Sequence, residues 1–174
     1  MAFIGKGAIL QFKQTVKRGA LSGSCASGSF VAFDSTFNVS ITPTSSSSLI
    51  LLGGHLVANV SGGEQGMKIV FRRNDSTITT ALDGSSTANV TGLPSNNVTG
   101  ATASGFIAGY GSETFPLCFI DKPNTTSACS YSVALGHTSG VTRTVYINQL
   151  NAETNSSQYS RFVSIIYAME LAQS

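Results

Sequence analysis

The stretch YSRFVSIIYAMEL, residues 159–171, decides the fold class. Phe162, Ser164, Ile166 and Ala168 fall on one side of a two-residue alternation, and Val163, Ile165, Tyr167 and Met169 on the other. A period of two is that of a β-strand. Both sides are largely apolar, so this strand is expected to be central in its sheet and covered on both faces. The run LILLGGHLVANV, residues 49–60, has the same two-sided character. Shorter alternations surround these two. Leu10, Phe12 and Val16 alternate with Gln11, Lys13 and Lys17, and Phe37, Val39 and Ile41 with Asn38, Ser40 and Thr42. Pro43 then stops the second run, because it has no ladder donor. Lys68 to Arg73, with Ile69 and Phe71 inward, leads through Asn74-Asp75 to Thr77 and Ile78, a hairpin signal. Strand patterns recur at Gly105 to Tyr110, Thr114 to Ile120, Ser130 to Gly136 and Arg143 to Leu150, whereas Leu82 to Ser104 reads as long loops with one short strand. No window of about 12 residues keeps a 3.6-residue apolar face. The expectation is a single all-β domain, an antiparallel β-sandwich or jelly roll of about eight to ten strands.

Composition narrows the function classes. Charged residues are 10% of 174, against roughly 25% in ordinary soluble domains. Ser (26) and Thr (18) fill the space, while 41% hydrophobic residues rule out a disordered chain. The apolar run from Ser48 to Val60 is broken by Gly53, Gly54, His55 and Asn59, short of the roughly 20 apolar residues of a membrane helix. The first residues lack a signal-peptide core and cleavage pattern, so synthesis in a cytoplasm is expected. A net charge of +2, with no basic cluster denser than Lys17-Arg18 or Arg72-Arg73, gives no support for nucleic-acid binding. Seven Asn-x-Ser/Thr triplets, beginning at Asn38, Asn59, Asn74, Asn89, Asn97, Asn124 and Asn155, read as turn and exposed-strand residues.

Catalytic chemistry finds little to work with. His55 and His137 have no His, Cys or carboxylate at metal-ligand spacing, and both read as structural. No nucleophile elbow is present, the eight carboxylates are isolated from one another, and no glycine-rich run opens a helix that could hold a phosphate. The expectation is no enzyme, no cofactor and no metal. Cys25, Cys118 and Cys129 form an odd set that makes no disulfide framework. If the segments flanking Asp121 to Ala128 paired as a hairpin, Cys118 and Cys129 would lie nearly opposite. A cross-strand disulfide is then geometrically possible, with free, half-buried thiols the expected state in a reducing compartment.

Strands apolar on both faces need a second surface beyond their own core, which points to self-association in closed symmetry, a trimer foremost. The residual charge is uneven. Lys6, Lys13, Lys17 and Arg18 precede the first acidic residue, Asp34, giving +4 over residues 1–33 and −2 over the rest. Residues 1–18 are therefore read as a basic arm or first strand, and 19–174 as the sandwich.

Four segments carry a resemblance: MAFIGKGAILQ, FNVSITPTSSSSLILLGGHLVANVS, FIDKPNTTSACSYSVAL and SIIYAMEL. Together they resemble a family of small structural proteins of marine tailed bacteriophages, in which an ITP-Ser/Asn strand pair, a D-x-P-N-T-T-S loop and a terminal MEL or MEI recur. The match is loose from Leu82 to Ser104, and Cys129 and the basic first segment depart from the pattern. The resemblance implies trimeric jelly-roll or C1q/TNF-like sandwiches, located in the virion as capsid decoration proteins or fibre tips. In a decoration or cement protein, Lys6, Lys13, Lys17 and Arg18 would face acidic surface of the major capsid protein. The lack of shaft repeats and of coiled-coil heptads favours that role over a fibre. In a fibre or tail appendage, the loops Asp83 to Ser104 and Asn151 to Tyr159, with Tyr110 and Tyr159 nearby, would contact a host surface polysaccharide.

Overall fold

The computed structural model describes residues 8–62, 67–78, 113–137, 139–150 and 162–173, and these form two antiparallel sheets. In chain order the strands are β1 (Ile9–Lys17), β2 (Leu21–Cys25), β3 (Phe30–Ala32), β4 (Asn38–Ile41), β5 (Leu49–Val60), β6 (Met67–Arg73), β7 (Ser76–Thr77), β8 (Glu113–Asp121), β9 (Cys129–His137), β10 (Arg143–Ile147) and β11 (Ser164–Leu171). No helix occurs among the described residues. The strands expected at residues 37–42, 49–60, 68–73, 114–120, 130–136, 143–150 and 159–171 all form, with shifted ends. The short strands β2 and β3, rich in Ser, Gly and Ala, carry too little alternation to be recognised. The expected strand at Gly105 to Tyr110 and the loops of Leu82 to Ser104 lie outside the described residues.

The first sheet is built around β5, which is long enough to serve two partners along one edge. β11 pairs with residues 49–55 and β10 with residues 58–60, while β8 covers residues 50–58 on the other edge. β1 extends the sheet beyond β11, and β2 extends it beyond β10. The C-terminal strand is thus central, as its two-sided pattern requires. Between the ends of β10 and β11 the backbone of Val57 would lose its ladder. Instead Asn148 N donates to Val57 O at 2.9 Å, and Val57 N donates to Ser164 Oγ at 2.9 Å. Ser164 Oγ donates in turn to Asn148 Oδ1 at 2.7 Å, and Asn148 Nδ2 donates to Lys17 O at 2.8 Å. Two buried polar side chains thereby close the gap where four strand ends meet, which keeps the backbone groups there paired.

The second sheet centres on β9, with β6 along one edge and β3 and β4 in succession along the other; β7 hairpins onto β6. Asn74 and Asp75 both take positive φ (48° and 63°), as a two-residue type I′ turn demands. The two inner faces meet in one core that includes Phe37, Ile50, Leu52, Leu56, Met67, Ile69, Leu135 and Ile166. Gly54 has φ +133° at the bend of β5, and a Cβ there would run into the carbonyl oxygen of Ile165. Only glycine fits that position.

The segments around Asp121 to Ala128 do not pair as a hairpin. β8 belongs to the first sheet and β9 to the second, so the connection is a crossover between layers. Cys118 and Cys129 are therefore not opposite each other. All three cysteines are free, Cys25 and Cys129 fully buried and Cys118 exposed.

Candidate functional site

Pairing register assigns every side chain of the first sheet to its inner or outer face, since cross-strand partners share a face. One outer row runs Phe12, Met169, Leu51, Ile120 across four strands; the next runs Gln14, Tyr167, Gly53, Cys118; a third runs Val16, Ile165, His55, Pro116. By register Leu171 and Leu49 continue this face at one end, and Val57, Thr114, Asn59 and Tyr146 at the other, where Val57 and Asn59 are already buried within the chain. No Asp, Glu, Lys or Arg lies on this outer face among the described strand residues. An ordinary antiparallel sheet presents its polar side to water. Here Phe12 and Val16 are 46% and 38% exposed, and Tyr167 and Met169 are half-buried. The Phe12 and Tyr167 rings sit 5.7 Å apart, and the Tyr167 ring lies over Gly53, where a Cβ would collide with it.

With strands about 4.8 Å apart and paired rows about 6.8 Å apart, four strands by these three rows span roughly 400 Å². That is the size of the largest apolar patch on a typical monomer, which is often functional. The alternation in β1 runs opposite to that of an edge strand on a monomer: its apolar residues face outward, and Gln11, Lys13, Thr15 and Lys17 take the inner side.

The basic residues singled out above flank this face. Lys13 and Lys17 pair with Ala168 and Ser164 on the inner side of edge strand β1, where Lys13 is exposed, and exposed Arg18 follows the strand. Lys6, Tyr110 and Tyr159 lie outside the described residues. His55 Nε2 donates to the Val163 carbonyl at 2.9 Å, and buried His137 donates through Nε2 to the Cys25 carbonyl at 2.9 Å with Ser139 against its Nδ1. Both histidines are thus engaged within the fold.

Three carboxylates carry the polar organisation, and the sequence did not mark them. Glu170 is fully buried on the inner side of β11. Its Oε1 accepts from Thr44 N (2.6 Å), Thr44 Oγ1 (2.7 Å) and Ser48 Oγ (2.6 Å), and its Oε2 accepts from Gln11 Nε2. Burial works against its ionisation, but the bonds from Gln11, Ser48 and Thr44 outweigh it and hold the carboxyl below its ordinary range. The ITP-Ser segment and the terminal MEL therefore belong to one structural unit: the first supplies the donors and the second the acceptor.

Asp34, in the connection from β3 to β4, ties that connection to β6 and β9 through Arg72 Nε (2.8 Å) and Ser132 Oγ. Burial opposes its ionisation, and the Arg72 and Ser132 bonds again prevail to lower its pKa. Asp121, at the end of β8, accepts from Arg73 Nη1 at 2.9 and 2.7 Å and from the Tyr131 hydroxyl at 2.6 Å. Burial first, and then the Asp121 charge, push the Tyr131 phenol far above its ordinary value.

No protein-family model matches the chain, and no curated protein matches it in sequence. Among solved structures it is similar to the T=1 particles derived from infectious bursal virus, at 14% identity and a TM-score of 0.42, over 93% of this chain and 36% of that one. It is similar also to the VP2 subviral particle of infectious bursal disease virus, at 13% identity and a TM-score of 0.42, over 93% of this chain and 38% of that one. The chain spans little more than a third of the length of either.

Proposed function

We propose that this protein is a structural subunit of a virion, a homotrimeric capsid decoration protein whose outer apolar face packs against other copies of itself. The observation that carries the reading is the outer face of the β1-β11-β5-β8 layer, which bears no charge among the described strand residues. Homo-oligomer interfaces are depleted of charge and enriched in aromatic residues and Met at their centre, which is the composition of the Phe12, Tyr167 and Met169 neighbourhood. A patch of roughly 400 Å² is half of the about 800 Å² per partner of a standard interface, so it forms the core and its polar surroundings the rim. The role is non-enzymatic, and the phage resemblance supplies the virion context.

Lys13 and Lys17 on edge strand β1, and Arg18 just after it, then border the self-association face and meet acidic surface of the major capsid protein. Such rim charges chiefly set association rate and salt dependence.

Light scattering tests the first part: a mass three times the 18.0 kDa of the chain is expected at micromolar concentration. Met169→Lys and Tyr167→Lys should each give a folded monomer. A monomeric wild type would overturn the self-association reading. Because Ile9–Lys17 is a strand of the sheet, deleting it would damage the fold. The anchoring role is better tested by exchanging Lys13, Lys17 and Arg18 for Glu and measuring binding to expanded heads, where undiminished binding would refute it.

A further inference from the structure

A cleft of about 210 Å³ opens beside the end of β8, away from the apolar face, and is lined by the β6-β7 hairpin and the segment after Asp121. Arg73, Asp121, Lys122 and Asn124 contribute charge and amide, and Ser76, paired with Arg73 across the hairpin, contributes a hydroxyl, whereas the Thr77 hydroxyl accepts from Arg72 Nη1 on the other face. Ile78 is the one apolar residue of the lining among the described residues.

The cations in this cleft are not equally committed. Asp121 spends its two oxygens on Arg73 Nη1 and the Tyr131 hydroxyl, so it is a positioning group for Arg73. Arg73 Nε and Nη2 have no hydrogen-bond partner among the described residues, and together they form the side-on fork that suits a carboxylate. Lys122 has no ion-pair partner among the described residues either. Two cations against one carboxylate leave the cleft with one net positive charge. Its polar end is set by backbone: Asn124, after Pro123, takes φ +53°, a left-handed position that Asn tolerates, and Thr125 Oγ1 accepts from Ser127 N at 3.0 Å to fix the loop beyond it.

Size selects the ligand. The cleft is below the roughly 300–1,000 Å³ of pockets that enclose drug-sized ligands, yet larger than an inorganic anion needs. Hydroxyl and amide groups around a single cationic fork, with one aliphatic side chain, match a sugar ring bearing one carboxylate. We propose that this cleft binds a single acidic sugar residue, a uronic acid or similar unit of a polysaccharide, with its carboxylate on Arg73 and Lys122 and its hydroxyls on Ser76 and Asn124. This goes beyond the structural role above and does not depend on it. The loop that supplies Asp121, Lys122 and Asn124 is the D-x-P-N-T-T-S element, which the sequence marks only as a turn.

Saturation-transfer NMR and calorimetry on the full chain, with methyl glucuronoside as probe, test the assignment. Binding in the millimolar range is expected, as befits one small ring, with methyl glucoside at least tenfold weaker. Lys122→Gln and Asn124→Gly should each weaken binding several-fold while leaving the melting temperature unchanged, because Lys122 is exposed and glycine accepts the positive φ of Asn124. Equal binding of the neutral glycoside, or unaltered binding by Lys122→Gln, would refute the charge assignment. Acetate or an acidic peptide competing as well as the glucuronoside would refute the saccharide class, and no signal with any probe would overturn the site.

Discussion

Glu170 offers a severe test of how the sandwich is held together. It is fully buried and receives four hydrogen bonds, from Gln11, Ser48 and two atoms of Thr44, that tie the connection before β5 to the last strand and the first. Bonds to a charged acceptor contribute about 1.5–3 kcal/mol each and neutral ones about 0.5–1.5. Glu170→Gln keeps the shape and three acceptor contacts but removes the charge, a loss of about 1 kcal/mol per bond and about 3 kcal/mol in all. Glu170→Ala leaves the donors without a partner and opens a void, costing about 5 kcal/mol or more. For a chain of 174 residues, about 3 kcal/mol lowers the melting temperature by about 6–12 °C. The pH dependence is a second signature. Because the folded-state pKa of Glu170 is depressed, its contribution is complete above the unfolded-state value of about 4.3 and is lost as pH falls toward the folded value. Thermal melts of wild type and Glu170→Gln between pH 7 and pH 3 should therefore converge on acidification. A Gln variant as stable as wild type at pH 7, or a gap that stays constant down to pH 3, would show that the cradle does not stabilise the ionised form.

Three further outcomes follow from particular contacts. Asn148→Ala removes the bonds to Lys17 O and Ser164 Oγ and places alanine at φ +56°, so a loss of about 3 kcal/mol in urea unfolding is expected; less than about 1 would mean that the strand junction is closed by other groups. Gly54→Ala forces a Cβ into the Ile165 carbonyl at φ +133° and should cost about 3 kcal/mol or more, whereas Gly28→Ala, with open space around it, should cost only about 1 from its φ of +77°. Burial raises the Cys25 and Cys129 thiols, and only Cys118 is exposed, so a folded monomeric Met169→Lys variant should present one thiol to a disulfide reagent and three after unfolding. In the wild type, Cys118 should react more slowly, because it lies in the same outer row as Tyr167; equal rates in the two proteins would place Cys118 outside any covered surface.

How much of this was legible in the sequence depended on whether a residue's role is local. The strands came from period-two alternation, and the centrality of β11 from its two apolar sides, because pleat and burial act within a few residues. The Asn74-Asp75 turn was legible for the same reason. The hairpin expected around Asp121 to Ala128 failed because strand partners are chosen by the whole topology: a short loop between two strands suits a crossover between layers as well as a pairing. Glu170, Asp34 and Asp121 were invisible as organising groups because their partners lie 126, 38 and 48 residues away for Thr44, Arg72 and Arg73 respectively. The only trace of them was indirect. Carboxylates are so scarce in this chain that those retained within or beside strands are natural places to look for buried partners.

The direction in which β1 faces links the fold to its proposed role. A strand with Phe12 and Val16 on one side and Lys13 and Lys17 on the other would, at the edge of a solitary sandwich, turn its apolar side to the core. Register with β11 does the reverse, and a slip by one residue would be needed to correct it. That slip is opposed by Gln11, whose side chain must stay on the inner face to reach Glu170 and the Thr42 carbonyl. The buried carboxylate therefore sets the register, and the register commits Phe12 and Val16 to the outside next to Tyr167, Met169 and Ile165. A buried carboxylate that fixes this orientation, with no charge among the described strand residues of the face so formed, is what the proposed packing of that face against another protein requires.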